Sequence, residues 1–200
     1  DWAVHDLLDA HSVADAQGVQ WMLGKLRCAL GHYPGTILAI DPHRIPSYSK
    51  RQMVRRKKDQ RAPATKQIQT FFVFHADSQQ PICFTLGSSS RNTSRATVEL
   101  LKMAAEILNP KEIRPLVLAD TEHYALKLFE TVRIHLPFDL LVPMPLHKKN
   151  LTEFQSIPSK NFNRHWIGYA TYGRPYRPKT SQADPYWQII QRKGESEQDY

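Results

Sequence analysis

Two aspartates stand where apolar runs end. In "GTILAIDPHRIPSYS" the run Ile37-Leu38-Ala39-Ile40 meets Asp41, and a proline follows at once. In "RPLVLADTEHYALKLFE" the run Val117-Leu118-Ala119 meets Asp120. Two carboxylates at neighbouring strand ends repel unless a cation sits between them. Mg2+ or Mn2+ suits that place, because hard divalent ions prefer carboxylate oxygens and keep several waters. Two such ions, about 3.5–4 Å apart, stabilise the attacking and leaving oxygens of a phosphodiester displacement. In this reading Asp41 bridges two ions, Asp120 holds one, and a third acid completes the set. Each aspartate alone also has an ordinary role. Asp41-Pro42 fits a turn, and Asp120 before Thr121-Glu122 fits a helix cap. Only the pair, with a basic segment between, favours metal.

The pair works only if the chain brings both strand ends together. Val13, Ala16, Val19/Gln20, Leu23, Leu26 and Leu30 recur at helical spacing over residues 11–30, and Gly31 and Pro34-Gly35 stop that helix. Ile37–Ile40 follows as a buried strand. "TFFVFHAD" and "PICFTLGSS", joined by Ser78-Gln79-Gln80, read as a hairpin. "SSSRNTSRATVELLKMAAEILNP" reads as a capped helix with Val98, Leu101, Ala105 and Leu108 inward and Arg95, Glu99, Lys102 and Glu106 outward. "IRPLVLAD" is a second buried strand, "TEHYALKLFETV" a helix and "FDLLVPMP" a third apolar run. Beyond Leu146, "HWIGYATYG" and "YWQIIQR" are short strand candidates. A hairpin beside apolar strands with helical crossovers implies an α/β mixed sheet, with Ile37–Ile40 and Val117–Ala119 parallel neighbours. Sites in open α/β sheets form at the C-terminal strand ends, where both acids stand.

The 200 residues carry a formal net charge of +8, which favours a polyanionic partner, most often nucleic acid. No apolar run is long enough for a membrane span. Lys50, Arg51, Arg55, Arg56, Lys57, Lys58 and Arg61 crowd one segment with a single acid, which reads as a mobile basic loop that contacts phosphates. Cys28 and Cys83 lack CxxC spacing and read as buried thiols; the histidines show no zinc spacing.

The order strand–Asp–hairpin–helix–strand–Asp–helix resembles the RNase H-like core of DDE transposases of bacterial insertion sequences, the IS4-like group. "ILAIDPH" is similar to that family's first-acid strand, "LVLADTEHYALKLFETV" to its second-acid strand and helix, and "FDLLVPMP" to the strand after it. "HWIGYATYGRPYR" and "YWQIIQRKGESEQDY" resemble its β-rich insertion. The resemblance spans roughly residues 30–200. It implies an RNase H-like mixed sheet flanked by helices with a β-rich insertion toward the C-terminus. The expected division is a helical segment at 1–34, the catalytic core at 35–145 and the insertion at 146–200. It further implies Mg2+- or Mn2+-dependent cleavage and strand transfer on double-stranded DNA, action as a homodimer, and a cytoplasmic, nucleoid-associated place in a bacterium or archaeon. Asp41 and Asp120 carry over as the first two acids. The family's third acid, a helical glutamate, has no match among Glu195, Glu197 and Asp199, and is expected beyond Tyr200.

Other residues divide between site and scaffold. Glu99 reads as part of a solvated ion-pair face. Glu122 and His123 sit beside Asp120 and could reach metal or phosphate, or simply favour a helix start. His43 shares the side of Asp41 if the strand runs on through Pro42. Arg164, Arg174 and Arg177 join the expected DNA contacts. Trp166, Tyr169 and Tyr172 could stack on unpaired bases or line a strand's core face.

Overall fold

The computed structural model describes residues 12–50, 52–57, 61, 63–88, 90–166, 168–178 and 184–194. The chain folds as two units, Asp1–Pro143 and Met144–Tyr200. In the first, helix α1 (Val13–Ala29) precedes β1 (Ile37–Pro46), β2 (Arg55–Arg56), β3 (Thr65–His75) and β4 (Pro81–Ser88). Helix α2 (Thr93–Leu108), β5 (Leu116–Leu118), a 3-10 turn (Thr121–His123), α3 (Leu126–His135) and β6 (Asp139–Leu141) follow. The sheet runs β4–β3–β1–β5–β6, with β2 beside the start of β3. Strands β1, β3 and β4 are antiparallel; β5 and β6 run parallel to β1. This is the RNase H-like mixed sheet expected from the sequence.

The core lies on one face of the sheet. Leu38, Ile40, Phe71, Val73, Cys83 and Val117 point there and are buried against Ala96, Leu100, Leu101, Ala104 and Ile107 of α2 and Leu128 and Val132 of α3. The inward face of α2 is thus turned from the one expected. Ala96, Thr97, Leu100, Leu101 and Ala104 face the sheet, while Val98, Ala105 and Leu108 are half-buried. Small residues at 96 and 104 let the helix approach closely, so they take the centre of the contact. Asn92 caps α2 by accepting from the Arg95 N–H, and Asn109 ends it at φ 45°.

The sheet's other face is different. Ile37, Phe84, Leu86 and Leu141 are exposed there, and Ala39, Phe72, Phe74, Leu116 and Leu118 only half-buried. Phe72 lies between Phe74 and Phe84, with centroids 5.7 and 5.6 Å away.

Helix α1 forms where periodicity predicts, closed by a Ser12/Asp15 capping box. Its packing is not as expected. Trp21 and Gly24 turn inward, and a Cβ at Gly24 would meet Ile107 at 2.7 Å. Val19, Leu23, Leu26 and Leu30 are exposed. Side chains of α1 and the turn after it cover the β4 edge. Gln20 accepts from the Phe84 N–H at 2.5 Å and donates to the Phe84 carbonyl at 3.2 Å. Tyr33 and Arg27 donate to the Pro81 carbonyl. Edge groups satisfied this way cannot recruit another strand.

The second unit holds helix α4 (Lys148–Gln155) and the antiparallel sheet β7 (Asn163–Trp166), β8 (Tyr169–Tyr176) and β9 (Tyr186–Lys193). Its small core joins Phe162, Ala170 and Ile190 with Phe154, Ile157 and Tyr172. No described helix is long and apolar enough to cross a membrane.

Candidate metal centre and nucleic-acid face

Backbone hydrogen bonding fixes the place of Asp41. Ser47 N–H donates to Lys66 O and Ala76 N–H to Ile37 O, so the odd residues of β1 bond to β3. The even residues point toward β5, as the Leu116 N–H bond to Thr36 O requires. Pairing with β5 spans only Ile37 to Ala39. Pro42 is an even residue just past that limit, so its missing N–H costs no ladder bond. The strand does not turn at Asp41-Pro42; it runs on to Pro46. The proline leaves the β5 side of β1 open while Asp41 stays anchored opposite Phe72.

The second acid follows from the same register. Ala39 pairs with Leu118, so Asp41 and Asp120 hold equivalent positions two residues beyond the last pairing. Alternation carries Asp41 to the sheet face of Ala39 and Phe72, whereas Asp120 lies past the end of β5 and caps the 3-10 turn. The Asp41 side chain makes no hydrogen bond or ion pair with any described residue, and the residue is exposed. Asp120 is half engaged. Its Oδ1 accepts from the Glu122 N–H at 3.1 Å and lies 2.6 Å from His123 Nδ1. The helix expected directly after it is a single 3-10 turn, and α3 starts only at Leu126.

The weighed neighbours take distinct places. His123 is fully buried, edge-on to Phe71 at 6.4 Å, with Nε2 unpartnered. Glu122 forms an ion pair with Arg44, which ties the turn to the extension of β1. Arg44 was missed in the sequence because a lone arginine after Pro42-His43 carries no local signal. His43 is exposed, on the Asp41 side by alternation, and its carbonyl accepts from Thr70. Glu99 pairs with Arg91. No group of three or more His, Cys, Asp or Glu side chains able to hold a metal occurs among the described residues.

Within the basic segment the described residues include one short strand. Arg55 and Arg56 pair with Lys66 and Thr65 as β2. Lys50, Arg55, Lys57 and Arg61 are exposed. Arg51, Lys58 and the side chains of Arg56, Arg164 and Trp166 lie outside the described residues. Arg177 is exposed. Arg174 is held by Gln188 at 2.8 Å and Glu153 at 2.5 Å. Tyr172 packs on Phe162 in the small core, and Tyr169 is half-buried. Among the described residues of this sheet the exposed large aromatic is Trp187, whose indole lies over Gly173, where a Cβ would meet it at 2.8 Å. Strand periodicity in "YWQIIQR" marks that face but not the glycine opposite.

No family model and no curated protein matches the sequence. Its structural neighbours include transposases. The piggyBac transposase, in a synaptic complex with hairpin DNA, matches 78% of this chain at 14% identity with a TM-score of 0.43. The catalytic domain of the Mos1 mariner transposase matches 66% at 14% identity and 0.38. Endonuclease V from Bacillus subtilis matches 79% at 15% identity and 0.27. This chain spans 33% of the piggyBac chain and 64% of each of the other two.

Proposed function

We propose that this chain is part of the catalytic core of a DNA transposase that works by divalent-metal-dependent phosphodiester chemistry. The observation that carries the reading is the register of β1 and β5, which sets Asp41 and Asp120 at equivalent positions at open strand ends. Their donor chemistry fits Mg2+ or Mn2+, which bind through one or two carboxylates and complete their shells with water and substrate phosphate. When bound, such an ion activates water and neutralises charge on the phosphate.

The chain's own residues do the rest. Asp41 offers a carboxylate with no competing partner. Asp120 offers Oδ2 while His123 and the Glu122 N–H hold Oδ1. Arg44 holds the Glu122 carboxylate in an ion pair. Lys50, Arg55, Lys57 and Arg61 attract the phosphate backbone of double-stranded DNA. On this reading the third acid comes from outside the described residues. On this reading the protein belongs with the IS4-like insertion-sequence enzymes and acts in the cytoplasm of a bacterium or archaeon.

The test is Mn2+ binding followed by electron paramagnetic resonance on the intact chain and on Asp41→Ala and Asp120→Ala. Loss in both variants is expected; equal binding in all three would sink the assignment. A second reading is a DNA-binding remnant without catalysis, favoured because no group of three or more His, Cys, Asp or Glu able to hold a metal occurs among the described residues. Joining of a pre-cleaved 3′-OH end to target DNA separates them, since a remnant binds the end and leaves it unjoined.

A further inference from the structure

The backbone pairing of β1 with β5 ends at Ala39 and Leu118, and each acid stands just beyond that limit. A side-chain contact joins the same two segments further on. Arg44, past Asp41 on β1, forms an ion pair with Glu122, past Asp120 in the 3-10 turn. On both segments the acid therefore lies between the last ladder pairing and the ion pair. The Arg44 end is fixed. Strand β1 pairs with β3 as far as Pro46, Arg44 stands opposite Gln69, and the His43 carbonyl accepts from the Thr70 hydroxyl. The Glu122 end carries the acid with it. The Glu122 N–H donates to Asp120 Oδ1 at 3.1 Å, so a residue held by its side chain holds Asp120 by its backbone.

We propose that Arg44 and Glu122 are positioning residues of the metal centre. Their ion pair holds the turn of Asp120 at a set distance from the strand of Asp41, so that one ion engages both carboxylates. This role rests on the metal reading of Asp41 and Asp120. The pair contributes little to folding, since its side chains are 34% and 39% exposed. Arg44 does not draw in the ion either, because a guanidinium repels a cation. What the pair supplies is geometry. Outer contacts that orient metal ligands change affinity by roughly 10–100-fold.

The test is Mn2+ affinity, read by electron paramagnetic resonance on the intact chain, on Arg44→Ala, on Arg44→Lys and on the exchanged pair Arg44→Glu/Glu122→Arg. Arg44→Ala is expected to weaken binding by roughly 10–100-fold. That loss runs against simple electrostatics, since removing a positive charge alone favours a cation. Arg44→Lys and the exchanged pair recover most of it, and melting temperatures stay close to that of the intact chain. Amide hydrogen exchange without metal reads the turn directly: Arg44→Ala speeds exchange at Glu122 and His123 and leaves α2 unchanged. Equal Mn2+ binding in Arg44→Ala overturns the proposal. Tighter binding does so too, because it makes the released Glu122 a ligand. So does an exchanged pair no better than Arg44→Ala, or a turn whose exchange ignores that substitution. Each of these leaves the metal reading intact while Asp41→Ala and Asp120→Ala abolish binding. An intact chain that binds no Mn2+ through those two acids overturns both.

Discussion

His123 Nδ1 lies 2.6 Å from Asp120 Oδ1, on a ring with no exposed surface. A carboxylate only accepts, so the ring proton sits on Nδ1. The contact holds one oxygen of Asp120, while the other makes no hydrogen bond with any described residue. Replacing His123 by alanine opens a cavity under Phe71 and strands Asp120. A loss of about 2 kcal/mol is expected. That corresponds to roughly 4–8 °C in melting temperature for a chain of this size. Mn2+ binding weakens with it. His123→Asn keeps a donor near the Nδ1 position, so it recovers metal binding more than stability. Scanning calorimetry beside the metal titration reads both.

DNA binding should report which arginines face solvent. Replacing Lys50, Arg55, Lys57 and Arg61 together by alanine flattens the dependence of log K on log salt, by about 0.9 for each phosphate that is no longer neutralised. Arg174→Ala leaves the slope unchanged, because that guanidinium is engaged by Gln188 and Glu153. Fluorescence anisotropy at several salt concentrations distinguishes the two. A shallower slope with Arg174→Ala would place the second unit's sheet against the duplex.

Gly35 should resist substitution. Its N–H donates to Nε2 of the buried His75 at 2.8 Å, and a Cβ there would meet that nitrogen at 3.0 Å and the Asp77 carboxylate at 2.3 Å. Gly35→Ala therefore displaces the turn leading into β1, at about 1–3 kcal/mol. Urea denaturation measures it; an unchanged midpoint would mean that the turn yields freely.

Burial pushes the Cys83 thiol up from 9.0 to about 12. The folded state thus holds this proton more tightly than the unfolded state does. The stabilisation is complete below pH 9 and is lost as pH rises toward 12. Urea midpoints should fall over that window, and fall less in Cys83→Ala. At mildly alkaline pH a maleimide should label the half-buried Cys28 first and reach Cys83 only on unfolding.

Much of the sheet was legible because its information is local. Apolar runs bounded by proline, the polar Ser78–Gln80 turn and the Asn92 cap each carry their own signal. What escaped depended on distant partners. The periodicity of α1 marks a helix but cannot say which of two apolar sides meets α2; Gly24 decides that by admitting Ile107. The inward face of α2 shifted for a related reason, since small side chains won the closest approach. The sequence also suggested a turn at Asp41-Pro42. Only the alternation of bonds to β3 and β5 shows why a proline can stand inside a strand there. Arg44–Glu122 joins residues 78 apart, beyond the reach of any short motif.

Pro42 also separates the end of the β1–β5 pairing from the chemistry placed beside it. The gap beside β1 persists because position 42 has no hydrogen to offer, whatever side chain stands at 41. Asp41 can therefore be exchanged for asparagine, serine or cysteine without the neighbouring strand zipping shut. The scaffold keeps a vacancy at that strand end independently of its occupant, so a lineage could lose or change its reaction there while its fold stayed intact.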